Sequence, residues 1–157
     1  MTMQRRQFVQ TSSGTTALAL AAAAGWLPAQ NAFAQAQAWN KGAFETKTLA
    51  EVAKALGGTA VESKEISLKA PEIAENGNVV RIGASTTNPA ITQLALVIEK
   101  NPNALTAVFD VLPGTAADFE TNVKMGQSSN VYALGKMGDK IVYAVKEVKV
   151  TLGGCGG

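Results

Sequence analysis

Beyond Gly58 the apolar positions recur with a period of two, in short runs cut apart by turn residues, which is the signature of half-buried strands. The pattern predicts strands over 63–70, 79–85, 92–100, 105–112, 119–125, 130–136 and 140–152. Asn76-Gly77, Asn101-Pro102-Asn103, Pro113-Gly114, Gly126-Gln127-Ser128-Ser129 and Gly138-Asp139 supply the turns. Phe119, Thr121, Val123 and Met125 share one face of their run; Leu94, Leu96 and Ile98 do the same, while Ala95 and Val97 make that strand apolar on both sides. Before Gly58 the period differs. Leu49, Val52, Ala53 and Leu56 recur at helical spacing behind Thr48-Leu49-Ala50-Glu51, a capping box, and Gly57 supplies a left-handed stop. That predicts one short helix over 49–56, preceded by a loose polar entry over 35–43. Seven short strands and one short helix make a mainly β chain, an immunoglobulin-like antiparallel β-sandwich over residues 35–152. A domain of this size can bury about two-thirds of its unfolded surface and needs no disulfide.

The last predicted strand bears most on function. Ile141 to Val145 are apolar on both faces, and then Val148, Val150 and Leu152 alternate with Glu147, Lys149 and Thr151. Gly153, Gly154, Cys155, Gly156 and Gly157 follow, and Cys155 is the one cysteine of the chain. Glycine loses the most backbone freedom on ordering, so residues 153–157 read as a flexible arm. Cys155 stands three residues beyond Leu152, so its backbone can lie roughly 10 Å clear of the sheet. Glycines on both sides keep that arm thin enough for a narrow channel.

At the other end, Arg5-Arg6-Gln7-Phe8 precedes a weakly apolar run, and Ala32-Phe33-Ala34 closes it with a small-residue cleavage pattern. This order predicts a twin-arginine signal peptide over 1–34, with Arg5, Arg6 and Phe8 as its signature and Ala32 and Ala34 framing the cut. Gln4 and Gln10 depart from that consensus, and an ordinary Sec signal is the alternative. A membrane anchor does not fit, because Thr, Gly25 and Pro28 break the apolar run. Export points to the periplasm, and the twin-arginine route, which moves folded cargo, to co-export with a partner.

Charge and composition remove whole classes of function. The precursor carries 14 Lys plus Arg against 12 acids, and removing Arg5 and Arg6 leaves the two in balance. A nucleic-acid binder would show a basic excess. There is no histidine, so no Ser-His-Asp or Cys-His unit can form. One cysteine and no histidine cannot build a structural zinc site, and no phosphate loop is present. The chain reads as a non-enzyme without metal or cofactor, bearing a single soft nucleophile. An unperturbed thiol has a pKa of roughly 8.5 and is only a few per cent thiolate at neutral pH. No cation neighbours Cys155 in sequence, so it would be activated inside another protein's pocket. That division of labour fits a carrier.

The stretches Val148-Lys149-Val150-Thr151-Leu152-Gly153-Gly154-Cys155-Gly156-Gly157, Ala70-Pro71-Glu72-Ile73-Ala74-Glu75-Asn76-Gly77, Glu99-Lys100-Asn101-Pro102 and Met125-Gly126-Gln127-Ser128-Ser129-Asn130-Val131 resemble the SoxY family of sulfur-oxidation carriers. The resemblance covers residues 40–157. It implies an immunoglobulin-like sandwich paired with a SoxZ-like subunit as a heterodimer, in a periplasmic thiosulfate-oxidising system. It further implies that a SoxAX-like haem enzyme couples thiosulfate to Cys155 and a SoxB-like hydrolase releases sulfate, with a sulfane dehydrogenase as an optional further partner. Cys155 would be the attachment site, carrying sulfur as cargo, and Gly153, Gly154, Gly156 and Gly157 the swinging arm. Two alternatives remain: a secreted interaction protein whose Cys155 only forms an intermolecular disulfide, and a ubiquitin-like carrier using the terminal Gly-Gly, which an export signal contradicts.

Overall fold

The structure, a computed structural model, describes residues 40–151. The predicted helix is present as α1 (Leu49–Ala55), and its ends follow from its sequence. The Thr48 hydroxyl accepts the Glu51 N–H at 3.2 Å, while the Glu51 carboxylate reaches back to the Lys47 N–H at 2.8 Å. Gly57 ends the helix at φ 89°, so that Gly57 N–H bonds Lys54 and Gly58 N–H bonds Ala53, a paired closure open to a left-handed residue. The loose entry expected over 35–43 is corrected in its last part. Lys41–Glu45 is a 3-10 helix whose Ala43 is buried, capped by Asn40, whose amide donates to Ala55 O at 3.0 Å.

Nine strands follow among the described residues: β1 (Thr59–Glu62), β2 (Ser67–Lys69), β3 (Ile73–Ala74), β4 (Val80–Ser85), β5 (Gln93–Ile98), β6 (Leu105–Asp110), β7 (Asp118–Val123), β8 (Ser129–Met137) and β9 (Lys140–Val150). They form the expected immunoglobulin-like sandwich. The larger sheet runs β1-β9-β8-β5-β6, with β3 also on the edge of β9, and the smaller runs β2-β4-β7. The pairings are antiparallel except for β1 and β3, which each run parallel to β9. Gly138 takes φ 58° as the first residue of the two-residue β8–β9 turn, the place where a tight hairpin demands glycine.

The run expected as one strand over 63–70 is divided. Its first half is a turn in which Ser63 Oγ accepts the Glu65 N–H at 3.2 Å, and only 67–69 pairs with β4. The strand before it, β1, was not expected. The chain crosses here from the larger sheet to the smaller, and the Ser63 hydroxyl offers the backbone a turn that competes with extension.

Two apolar layers result. Between the sheets, Leu94, Leu96 and Ile98 of β5 pack with Ile82, Val131, Met125 and Val148. On the outer face of the larger sheet, Ala95, Val97, Leu134 and Ile141 pack beneath Val52, Ala53 and Leu56. This second layer explains why β5 and the start of β9 are apolar on both sides. Phe109 and Phe119 stack from the two edge strands at 4.9 Å and close one side of the sandwich. On the outside of the smaller sheet, Lys69 of β2 meets Asp118 at 2.8 Å and Glu120 of β7 at 3.2 Å, across Gly83 of the strand between them. A Cβ at 83 would stand 2.7 Å from Glu120 Cγ, so glycine keeps that crossing open.

Arg81 bonds Glu120 at 2.6 Å and, with Lys69, holds its carboxyl below the usual range; bonds to Asp118 and Glu120 raise Lys69. The sign follows for each. A depressed carboxylate contributes stability above its unfolded pKa that is lost as pH falls through its folded one. A raised lysine contributes stability below its unfolded pKa that is lost as pH rises through its folded one. The network therefore holds across neutral pH, and Glu120→Gln should flatten the acid limb of a Tm-versus-pH curve. An acid limb identical to wild type would show that the exposed network contributes nothing to it.

Candidate functional site

Cys155 and its glycines, Gly153, Gly154, Gly156 and Gly157, lie outside the described residues. So do the export residues Arg5, Arg6 and Phe8 and the cleavage residues Ala32 and Ala34. What the structure describes is the base from which β9 leads toward Cys155, and how that base is built.

The β8–β9 ladder pairs nine residues, from Met137↔Lys140 to Ser129↔Val148, and there β8 ends. Val148 is fully buried. Beyond it the ladder offers no further backbone partner on the β8 side, because residues 126–128 turn away toward β7. The Ser128 side chain takes over. Its Oγ accepts the Val150 N–H at 2.9 Å and its hydroxyl faces Val150 O at 3.5 Å. On the opposite edge, β3 lies parallel to the end of β9, with Ile73↔Lys149 and Ala74↔Val150. Lys149 N–H donates to Glu72 O at 2.9 Å, Thr151 N–H donates to Ala74 O at 3.1 Å, and the Thr151 hydroxyl reaches the same oxygen at 3.4 Å. The strand expected to run to residue 152 is thus assigned to Val150 and held through Thr151.

The surrounding loops lock to one another. Met125 N–H donates to Gly77 O at 2.7 Å, and Asn101 Nδ2 donates to Lys124 O at 2.8 Å. Lys100 N–H donates to Ser129 Oγ at 3.0 Å, and Asn130 Nδ2 reaches Glu99 at 2.9 Å. The stretches 70–77, 99–102 and 125–131, far apart in the chain, therefore converge on the base of β9. Beside them Tyr132 stacks edge-on to Tyr143 at 5.7 Å; burial, then the nearby Glu99 charge, raises its phenol pKa.

The chemistry available at this base is sparse. Lys146 Nζ donates to Ala70 O at 3.1 Å and stands 3.7 Å from Glu72, while Glu75, Glu147 and Lys149 are exposed. Among the described residues no group of three or more Cys, Asp and Glu is placed to hold a metal ion. An open cleft of about 970 Å³ does exist, lined by Lys64, Thr87, Pro89, Leu112 and Asp118 among others, but at the opposite end. It lies by the ends of β4 and β6, where β9 begins. The eleven residues of β9 separate the two ends by roughly 33 Å.

Sequence reasoning did not find Ser128, β3 or the closeness of Gly77 to Val150. Ser128 read as one turn residue among several, and a two-residue strand carries no period.

A family model for the sulfur oxidation protein SoxY matches residues 52–155. The structure of the sulfur carrier protein SoxY from Chlorobium limicola f thiosulfatophilum is similar at 36% identity and a TM-score of 0.54, covering 59% of this chain and 84% of that one. The PKD domain of an M14-like peptidase from Thermoplasmatales archaeon SCGC AB-540-F20 aligns at 15% identity and a TM-score of 0.35, over 54% of this chain and 91% of that one, and carries no argument. No curated protein matches significantly.

A Cβ at Gly77 would press on the Met125 carbonyl oxygen and stand 2.8 Å from Val150 Cγ1. Gly77→Ala should therefore lower stability by about 1–3 kcal/mol and shift the amide resonances of Val150 and Thr151. Urea unfolding and a two-dimensional amide spectrum check this; an unshifted Val150 would show that the contact does not shape the base.

Proposed function

The chain belongs to the SoxY family of sulfur oxidation proteins and is a sulfur carrier, and from that premise we propose that its cargo is held covalently on Cys155 and shown to partner enzymes in the periplasm. The observation that carries this reading is the extent of the family match. It runs from within α1 to residue 155, the single cysteine of the sequence.

In the proposed cycle the Cys155 thiol and the outer sulfur of thiosulfate join in an S–S bond. The thiol proton and two electrons leave, the electrons passing to a haem enzyme of the SoxAX kind. The product is a Cys-S-S-sulfonate. A SoxB-like hydrolase then adds water at the sulfonate sulfur and breaks the S–S bond to it, releasing sulfate and two protons and leaving a persulfide anion on Cys155. The persulfide is the substrate for a sulfane dehydrogenase where one is present. No step requires a catalytic group from the carrier. Its own part is to hold the Gly153-Gly154-Cys155-Gly156-Gly157 segment on a rigid base and let a narrow active site admit it. A SoxZ-like subunit is the proposed stable partner, and twin-arginine export the proposed route.

Cys155→Ser should abolish the mass increment that thiosulfate and the cognate enzymes produce, with fold and partner binding unchanged. Intact mass spectrometry reads it; an increment that persists in the serine variant refutes the attachment site. Gly154→Val should slow enzymatic loading by about tenfold or more, the cost of about 1.4 kcal/mol in a crowded transition state, and slow alkylation by iodoacetamide far less. Equal slowing of both would remove the narrow-channel reading.

A further inference from the structure

An edge strand offers unpaired backbone groups to any other strand, and proteins guard such edges with short length, charge or proline. Most edges of this sandwich are guarded. β1, β2 and β3 have four, three and two residues, with Glu62 and Lys69 on the first two, and β7 presents Asp118 and Glu120. β6 is different. It has six residues without lysine, arginine, proline or glycine, and no described strand lies on its far side. Its guard is a bulge at one end, where the pairs Leu96↔Ala107 and Val97↔Leu105 leave Thr106 as an extra residue. From Ala107 to Asp110 the register is regular.

The open backbone groups can be assigned. Val111 N–H donates to Thr92 O at 2.9 Å and Glu99 N–H to Asn130 O at 3.1 Å, so even-numbered residues of β5 bond β6 and odd-numbered ones bond β8. Through the register, Ala107 and Phe109 spend their backbone groups on β5, while Val108 and Asp110 turn theirs outward. Inside this edge the stacked rings of Phe109 and Phe119 are half-buried and give it an apolar floor. At its end the chain passes through Val111 and the exposed Leu112 into the cleft of about 970 Å³, so edge and cleft form one surface. Asp110 is exposed there. Its carboxylate accepts the Gln93 amide at 2.7 Å, and no described lysine or arginine pairs with it.

We propose that β6, with the cleft at its end, is the docking site for an extended segment of a different protein, which joins the larger sheet as an added strand. Only a strand answers alternating backbone donors and acceptors on one edge. The segment carries apolar side chains at alternate positions, toward Phe109 and Phe119, and a lysine or arginine beside Asp110. A second copy of this chain fits less well. Its outward groups can pair only as Val108↔Asp110 and Asp110↔Val108, which sets the two Asp110 carboxylates on one face at diagonal spacing, about 7–8 Å, where they repel. The proposal goes beyond the carrier reading and does not depend on it.

The probe is a peptide of alternating threonine and valine, about seven residues long as strands commonly are, with an added lysine at each end; its twin has glutamate at each end. Titrated into the full chain, the lysine peptide should slow amide exchange at Val108 and Asp110 about fivefold or more, as one gained hydrogen bond would. Ala107 and Phe109, already bonded to β5, should not change. The lysine peptide should bind about threefold more tightly than its twin, the scale of an exposed ion pair, and Asp110→Asn should erase that difference. Val108→Pro deletes an outward N–H, the kind of edge position where a sheet tolerates proline, and should weaken binding about tenfold. Absence of saturable binding, protection elsewhere than Val108 and Asp110, equal affinity for the twins, or undiminished binding by folded Val108→Pro overturns the proposal. Protection of Val108 and Asp110 that grows with protein concentration alone makes a second copy the occupant and overturns it too. If Val108→Pro does not fold, the exchange pattern of the wild type decides.

Discussion

The β8–β9 ladder is the constraint on which the rest of the structure depends. Nine pairs tie the two strands, and every other part of the larger sheet is added to one of them: β5 and then β6 to β8, β1 and β3 to β9. The ladder fixes which side chains of β9 face inward. Val142 and Val148 enter the core between the sheets, while Ile141 faces the outer layer under α1. A slip of one residue would exchange the two sets and bury Lys149 and Glu147. Gly135, within β8, lets Ile66 and Ile91 approach the ladder, since a Cβ there would stand 3.0 Å from Ile91 Cδ1.

From this spine the two ends of the sandwich acquire different characters. At the hairpin end, short turns and the 111–117 segment frame an open cleft with mixed polar and apolar walls. At the other end three loops bond to each other and to the end of β9, by way of Met125, Lys100, Asn101, Ser128 and Asn130. These loop-to-loop hydrogen bonds gather around the last described residues of β9. No buried polar side-chain atom among the described residues lacks a hydrogen-bond partner.

Much of this was legible in the sequence. The periods around Leu94–Ile98, Phe119–Met125 and Val148–Val150 gave the strands, because each buries one or both faces and burial writes itself as alternation. Thr48, Glu51 and Gly57 gave the helix and its ends, because capping is local. The position of Cys155 among glycines, and the absence of histidine, bounded the chemistry without any coordinates. The misses share a cause. β1 and β3 are short edge segments with exposed side chains at Val61 and Ile73, so their place comes from backbone bonds to β9 that no side-chain pattern reports. The turn at Ser63 was hidden because a serine hydroxyl can serve strand or turn alike.

The sequence by itself determined the fold class, the helix, most strands and the presence of a single cysteine, since each depends on local composition or on a period along the chain. Only the tertiary structure decided that the outer apolar face of β5 is core beneath α1, that 70–77, 99–102 and 125–131 meet at one end, and that Ser128 and Glu72 hold the last residues of β9. Those facts rest on contacts between residues up to 77 positions apart, and hydrogen bonds across such distances leave no trace in the order of the residues that make them.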